Sequence, residues 1–339
     1  MKKLLMAPLV FLTLCFPLQT ATALHAETKE IVSEGTYIMG DGETPLVAES
    51  RAVEQAKRSA VEQAGTYVTS YSQVKNFQIE KDEIEVLASG LLAISVLDKK
   101  RTLEGDAIKF WVKIRAIVTP DKIGVTMERI RENGLAQEFA ETKAAYDKSQ
   151  TELAKLKEQL AATKADQEHR AIVARITVQE KDFLSRRLYA DALSDFAAGR
   201  LDEALEKLMR SLADSPAFYE VHLLRGFVYL RQGKHDKAIP DLDRVIALQP
   251  NIARAYAGRG ICYSIKNRHK AAIADLSKAL RLNQGFPQDL ESVIHGHLGR
   301  SLFETGQFQQ AKDHLLIACK TGDKPYCRIL QSPRYKKQS

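Results

Sequence analysis

Between Phe183 and Ala318 the chain repeats itself, and the repeat restricts that half of the molecule to one kind of architecture. Two segments superpose at a spacing of 34 residues: Gly226 is followed by Tyr229, Gly233, Ala238, Leu242 and Pro250, and Gly260 by Tyr263, Ala272, Leu276 and Ala279. Small residues at these spacings let two helices touch, large apolar residues fill the space between contacts, and Gly or Pro marks the breaks. One such helix–turn–helix unit cannot bury its apolar face alone, so several must stack. The same register runs outward. Tyr189, Ala192, Gly199, Ala204, Leu208 and Pro216 form a first unit from about Arg186. Residues 220–250 and 254–284 form the second and third, and an insertion around Gly285-Phe286-Pro287 precedes a fourth with Gly299, Gly306, Ala311, Leu315 and Ala318. The third unit ends in Gln284 where the second has Pro250. Residues 325–330 suit a short capping helix, and Arg334–Ser339 is a basic polar tail.

These units resemble the tetratricopeptide repeat. The resemblance implies an all-α solenoid, a right-handed superhelix whose inner face is lined by the first helix of each pair. The lining residues it implies are Arg186, Tyr189, Leu193 and Phe196, then Glu220, Leu223, Phe227, Leu230 and Arg231, then Arg254, Ala257, Ile261 and Ser264. Aromatic and aliphatic surface flanked by arginines suits an extended peptide or a partner helix. Some members of the family grip a C-terminal carboxylate with Lys, Asn and Arg at set positions. Arg254 matches one of these, while Tyr189, Leu193, Leu224 and Gly258 occupy the others.

The N-terminus reads as a secretory signal over residues 1–23: Lys2 and Lys3, an apolar stretch from Leu4 to Leu18, and the small-x-small site Ala21-Thr22-Ala23. This predicts a periplasmic or secreted protein. Leu14 precedes Cys15 where lipidation needs a small residue. The chain of 339 residues carries +7, and +5 without Lys2 and Lys3. Export argues that this charge does not serve nucleic acid; it keeps the protein soluble and permits peripheral association with the envelope.

Residues 27–127 read as a small α+β domain. Ile31–Met39 is strand-like, and Val47–Ala64 carries Ala48, Ala52, Ala56, Ala60 and Ala64 four apart, a small-residue stripe that lies close against a sheet. Gly65 is expected to end that helix, Tyr67–Phe77 to form a weak strand, and Asp82–Ser89 a short helix stopped by Gly90. Leu91–Arg101 and Ala107–Val118 alternate around Glu104-Gly105-Asp106, which predicts a hairpin. The order, with Glu34-Gly35, the alanine stripe, Val74-Lys75-Asn76 and Gly90, resembles the N-terminal domain of the flagellar assembly protein T family and related envelope lipoproteins. That resemblance implies an envelope module without catalytic residues.

From Leu135 to Ala198 there is neither Gly nor Pro, and good helix formers dominate. Leu153, Leu156 and Leu160 form a short seam. The expectation for residues 128–182 is one long helix or coiled coil, roughly 70 Å at about 1.5 Å per residue. Its alternatives are an extended spacer and a homo-oligomer through the seam.

Chemistry is harder to find. His295-Gly296-His297, with His314, is the most metal-like pattern, but alternate residues of a helix point to different faces and no carboxylate joins them, so no metal is expected. Gly40-Asp41-Gly42 lacks the Lys-Ser/Thr of a phosphate loop, and no Gly-x-Ser-x-Gly turn occurs. No catalytic residue and no cofactor are expected; a hydrolase would have to depend on His295 or His297. Cys319 and Cys327, across a turn-rich link, are spaced to close a disulfide in an oxidising compartment, and resemble the bridged helix pairs of Sel-like repeats. Cys262 belongs to a buried helix face. The fold expected is an α+β domain, a long helix and an all-α repeat array (183–320) with a capping helix and tail over 321–339. The function expected is an exported protein-binding scaffold, or alternatively a structural accessory of a surface appendage or secretion machine assembling through its first domain.

Overall fold

A computed structural model describes residues 28–40, 42–75, 78–163, 166–282, 286–320 and 324–332. The signal segment and the tail Arg334–Ser339 lie outside these residues.

The first domain is a three-stranded antiparallel sheet covered on one face by helices. Strands β1 (Lys29–Ile38) and β2 (Leu92–Glu104) flank β3 (Ala107–Val118), in the order β1-β3-β2. Gly35 pairs with Val112 and Glu34 with Lys113, so Ile31, Ser33 and Gly35 share a face with Val112, Ile114 and Ala116. On that face lies α1 (Pro45–Lys75), whose alanines 48, 52, 56, 60 and 64 are all fully buried. The approach is close enough to exclude any side chain at Gly35: a Cβ there would sit 2.0 Å from the Ala52 carbonyl oxygen. Beside it, Ser33 Oγ donates to the Ala56 carbonyl at 2.8 Å.

Gly65 does not end α1, and the strand expected from Tyr67 is helical through Lys75. The four-residue stripe explains the difference: it continues as Ala64, Val68 and Ser72, all buried, and gives the helix a reason to run on. Asn76 and Phe77 lie outside the described residues. Helix α2 (Lys81–Leu91) starts on a capping box between Glu80 and Glu83 and passes Gly90 before β2 begins. Beyond Leu92, β2 is exposed along its length.

The long helix is also corrected. After α3 (Ile123–Glu132), residues 135–198 form two helices, α4 (Leu135–Ala162) and α5 (Asp166–Ala198), folded back on each other. Leu153, Leu156 and Leu160 pack with Ile172, Ile176 and Phe183, and the Tyr146 and Phe183 rings stand 4.9 Å apart. The seam finds its partner within the same chain, which removes both the spacer and the seam's need for a second copy. Thr163 and Asp166 flank the break; both residue types favour helix ends, and Asp166 and Glu168 complement the positive start of α5.

Helix α5 continues as the first helix of the array. The pairs are α5 with α6 (Leu201–Asp214), α7 (Tyr219–Arg231) with α8 (His235–Leu248), α9 (Ala253–Ile265) with α10 (His269–Leu282), and α11 (Gln288–Glu304) with α12 (Phe308–Lys320). Inside the later pairs a glycine faces a leucine sixteen positions on. Cβ atoms at Gly226, Gly260 and Gly299 would lie 3.1, 2.7 and 2.8 Å from Leu242, Leu276 and Leu315. Left-handed residues turn each pair: Gly199, Gly233 and Gly306, with Asn267 (φ 58°) in the third unit.

The first domain is not held away from the array. One hydrophobic core runs from Ile31 through α1–α3 into α5–α8 and ends at Cys262. Gly90 lies against Ala197, Ser89 and Ser194 share a hydrogen bond of 2.7 Å, and Lys57 pairs with Asp191 at 2.7 Å. Among the described residues no helix is long and apolar enough to cross a membrane.

Candidate functional site on the concave face

First helices of the array bring Arg186, Tyr189, Glu220, Leu223 and Arg254 to one cleft, and the corner between α3 and α4 lines its other side. Asn133 closes α3, with its side-chain amide donating to the Arg129 carbonyl at 2.7 Å. Gly134 then takes φ 60°, and a Cβ there would lie 2.9 Å from Pro287 Cγ. The corner thus reaches from unit one to the insertion that precedes unit four. Leu135, fully buried, anchors the new helix, and Glu138 falls in its first turn, where the helix dipole favours a carboxylate.

Glu138 is held from two sides at this face. One oxygen accepts from the Tyr189 hydroxyl and the other from Arg254 Nη1. The Arg254 guanidinium also lies over the Phe227 ring, 5.1 Å from its centre. Burial pushes the Tyr189 hydroxyl well above its ordinary pKa, and the adjacent carboxylate of Glu138 adds to it. At Arg254 burial opposes the charge, but Glu138 more than offsets it and holds the guanidinium protonated. Arg254 Nε is buried with no acceptor among the described residues. Around this contact is a cleft of about 520 Å³, lined by Glu141 and Thr142 from α4 and by Arg186, Tyr219, Glu220 and Leu223 from the array. Burial raises the Glu220 carboxyl, and Glu138 raises it further.

Each expected groove residue has a definite place. Leu193 and Phe196 are core, under α2 and α3, with Arg231 stacked 5.0 Å from the Phe196 ring. Arg186 stacks on Phe218 at 5.2 Å and pairs with Asp182 at 2.7 Å. Tyr189, Leu223, Phe227 and Ile261 are buried, Glu220 and Leu230 half-buried, and Arg231 exposed. Tyr189, Glu220, Leu223 and Arg254 meet at the cleft; Ile261 belongs instead to the core of units three and four. In the sequence Glu138 is one of many acids on a stretch without Gly or Pro. Its one local signal is its place in the first turn after Gly134.

At the far end, the sulfurs of Cys319 and Cys327 are bonded, with Cα atoms 5.1 Å apart. The bridge ties α12 to α13 (Lys324–Gln331), whose Tyr326 lies on Gly296: a Cβ at Gly296 would stand 2.3 Å from the ring. The His-Gly-His pattern is therefore a seat for this capping helix. His297 contacts Ser264 Oγ at 3.2 Å, and burial pushes its pKa down to about 4. His295 turns the other way and shares a 2.7 Å hydrogen bond with His314, Nδ1 to Nδ1. Among the described residues no three His, Cys, Asp or Glu side chains are arranged to hold a metal. Cys262 is a buried thiol whose pKa burial raises to about 12.

A family model described as "Tetratricopeptide repeat" matches residues 189–251 and 223–288. Residues 189–288 carry tetratricopeptide repeats. The matched segments span α5 to the start of α11, so the glycine–leucine contacts of units two and three are those of this repeat. Solved structures similar to the chain include "MamA RS-1 ArsTM double mutant", 22% identical over 44% of this chain and 88% of that one, TM-score 0.36. Another is MamA 41-end from Desulfovibrio magneticus RS-1, 23% identical over 54% and 97%, TM-score 0.36. A third is the first TPR of Spaghetti (RPAP3) bound to an HSP90 peptide, 20% identical over 36% and 93%, TM-score 0.33. No curated protein matches the chain. Tetratricopeptide arrays are protein–protein interaction scaffolds, and this fold is of a non-catalytic type.

Proposed function

We propose that the chain is an exported, non-catalytic scaffold whose concave repeat face receives a protein partner in the cell envelope. The observation that carries this reading is the grip on Glu138. Tyr189, Arg254 and Phe227 form an ordered recognition site on the inner face, and the site already holds a helix. Export is supported by the Lys2-Lys3 start, the apolar stretch to Leu18 and Ala21-Thr22-Ala23, and by a Cys319–Cys327 bridge suited to an oxidising compartment. The compact first domain, similar to envelope modules in its alanine stripe and Gly35, then serves as a buttress for the array and a second surface for envelope contacts.

The test is photo-crosslinking in cells, with the reactive amino acid placed at Glu220 or Leu230 on the inner face and at Met209, exposed on α6, as the control. A partner adduct concentrated at Glu220 and Leu230 is expected. Adducts only at Met209 would contradict the reading.

A second reading has its own observation. Strand β2 is a free edge with Ile94, Val96, Leu97 and Leu103 exposed, a surface on which a structural accessory could assemble. A large assembly of the purified chain without added partner would favour it; a monomer or dimer would set it aside.

A further inference from the structure

Away from the concave cleft, the last repeat brings two imidazoles together. His297 packs against Ser264 and Tyr326. His295 instead meets His314 across the α11–α12 pair, Nδ1 to Nδ1 at 2.7 Å, with the ring centres 4.9 Å apart. Both rings are half-buried. Two Nδ1 atoms this close share one proton, which one nitrogen donates and the other accepts. Burial pushes both pKa values below the ordinary 6.5, so at neutral pH the two rings are uncharged, the form in which imidazole binds a metal. The carboxylates that act on them are Glu291, one turn before His295 on the same face of α11, and Asp313, beside His314. Neutral nitrogen donors converging from two helices, with acids beside them, suit a divalent cation.

We propose that His295 and His314 chelate one divalent ion of the zinc type through their Nδ1 atoms, with water completing its coordination. The spacing is close to what this needs. Zinc–imidazole bonds are about 2.0–2.1 Å, so two nitrogens on one ion stand about 2.9–3.4 Å apart, and the pair has to open by only about 0.2–0.7 Å. The proton count also closes: the ring that now carries its proton on Nδ1 takes the Nε2–H tautomer, exchanging that proton with water, and no net proton is released from the neutral pair. The bound ion clamps α11 to α12, the helix that also carries Cys319 of the C-terminal staple. The proposal is independent of the concave face, and the site belongs to the fold of unit four rather than to its partner.

The test titrates Zn2+ into the purified, untagged, EDTA-stripped chain by calorimetry. One ion per chain is expected, with affinity falling at least about ten-fold in His295→Ala and in His314→Ala, while His169→Ala, an exposed histidine on α5, binds as the unmodified chain does. No Zn2+ uptake beyond that of the His295→Ala/His314→Ala double variant overturns the proposal, and so does a loss of equal size in His169→Ala. Because either alanine also loosens α11 against α12, a second measurement uses the unmodified chain alone. Long-range 1H–15N spectra of the histidine rings should show both Nδ1 signals shifting with Zn2+ and both rings protonated at Nε2. Unshifted His295 and His314 signals, or shifts confined to other histidines, would reject the site whatever the variants do. Zn2+ should also raise the unfolding midpoint of units three and four in the unmodified chain and leave it unchanged in the double variant; an equal rise in both contradicts the clamp.

Discussion

Units one and two and units three and four are built from the same helix pair, yet they are stabilised in different ways. The earlier pair shares its core with the first domain: the alanine stripe of α1, Leu87, Ile123 and Leu135 belong to one cluster with Leu193, Phe196 and Leu242. The later pair has a separate core, from Ala257 to Leu315 in sequence range, closed by Tyr326 and the Cys319–Cys327 bridge. An array whose units contact only their neighbours needs a polar or capped end. Here the N-terminal end is covered by a folded domain that also covers the inner face, and the C-terminal end by eight residues of helix stapled in place. The lesson is that a repeat's own sequence sets how its two helices meet, whereas what covers its inner face is decided outside the repeat.

Substitutions separate the two halves. The largest effect is expected at Gly35→Val, where any Cβ enters the α1 backbone. A loss of more than about 3 kcal/mol in chemical denaturation is expected, because neither strand nor helix backbone can give way. The damage should spread to units one and two through the shared core while spectroscopic probes in α11–α13 stay native.

The later half has an acid-sensitive counterpart. His297 has a folded-state pKa lowered to about 4 from an ordinary 6.5, so its contribution is fully present above pH 6.5 and is lost as the pH falls toward 4. The loss amounts to at most about 3 kcal/mol, read as a falling unfolding midpoint of units three and four, and His297→Gln should flatten the profile. Opening the staple with Cys319→Ser is smaller, about 2 kcal/mol for so short a loop, and should release α13 first. Smallest is Glu220→Gln in the cleft. The Glu220 pKa is raised, so this group stabilises the fold least above that pKa; the amide should add below about 1 kcal/mol at pH 7 and nothing at pH 4.

The asymmetry also explains what could be read in the sequence. Gly226, Gly260 and Gly299 announce their leucines because the contact is local and recurs, and Ala48 to Ala64 announce a close helix–sheet contact for the same reason. The α4–α5 break was hidden because it needs no Gly or Pro: Thr163 and Asp166 suffice once Leu153, Leu156 and Leu160 have Ile172, Ile176 and Phe183 to face. Asn267 conceals a turn that glycine makes visible elsewhere. Glu138 meets Arg254 across more than a hundred residues, and no local pattern encodes such a meeting. Repeat spacing puts Tyr189, Glu220, Leu223 and Arg254 in one series of positions, but it carries no trace of the α3–α4 corner that lies against them.

Native-state hydrogen exchange of the whole chain across a denaturant series tests this account most directly, because it reports which segments open together. The shared core predicts that α1, α2 and α5–α8 exchange through one common opening, and that α11–α13 exchange through a separate one. Opening of α1 and α2 at lower denaturant, independent of α5–α8, would show a first domain merely tethered to the array and would contradict it.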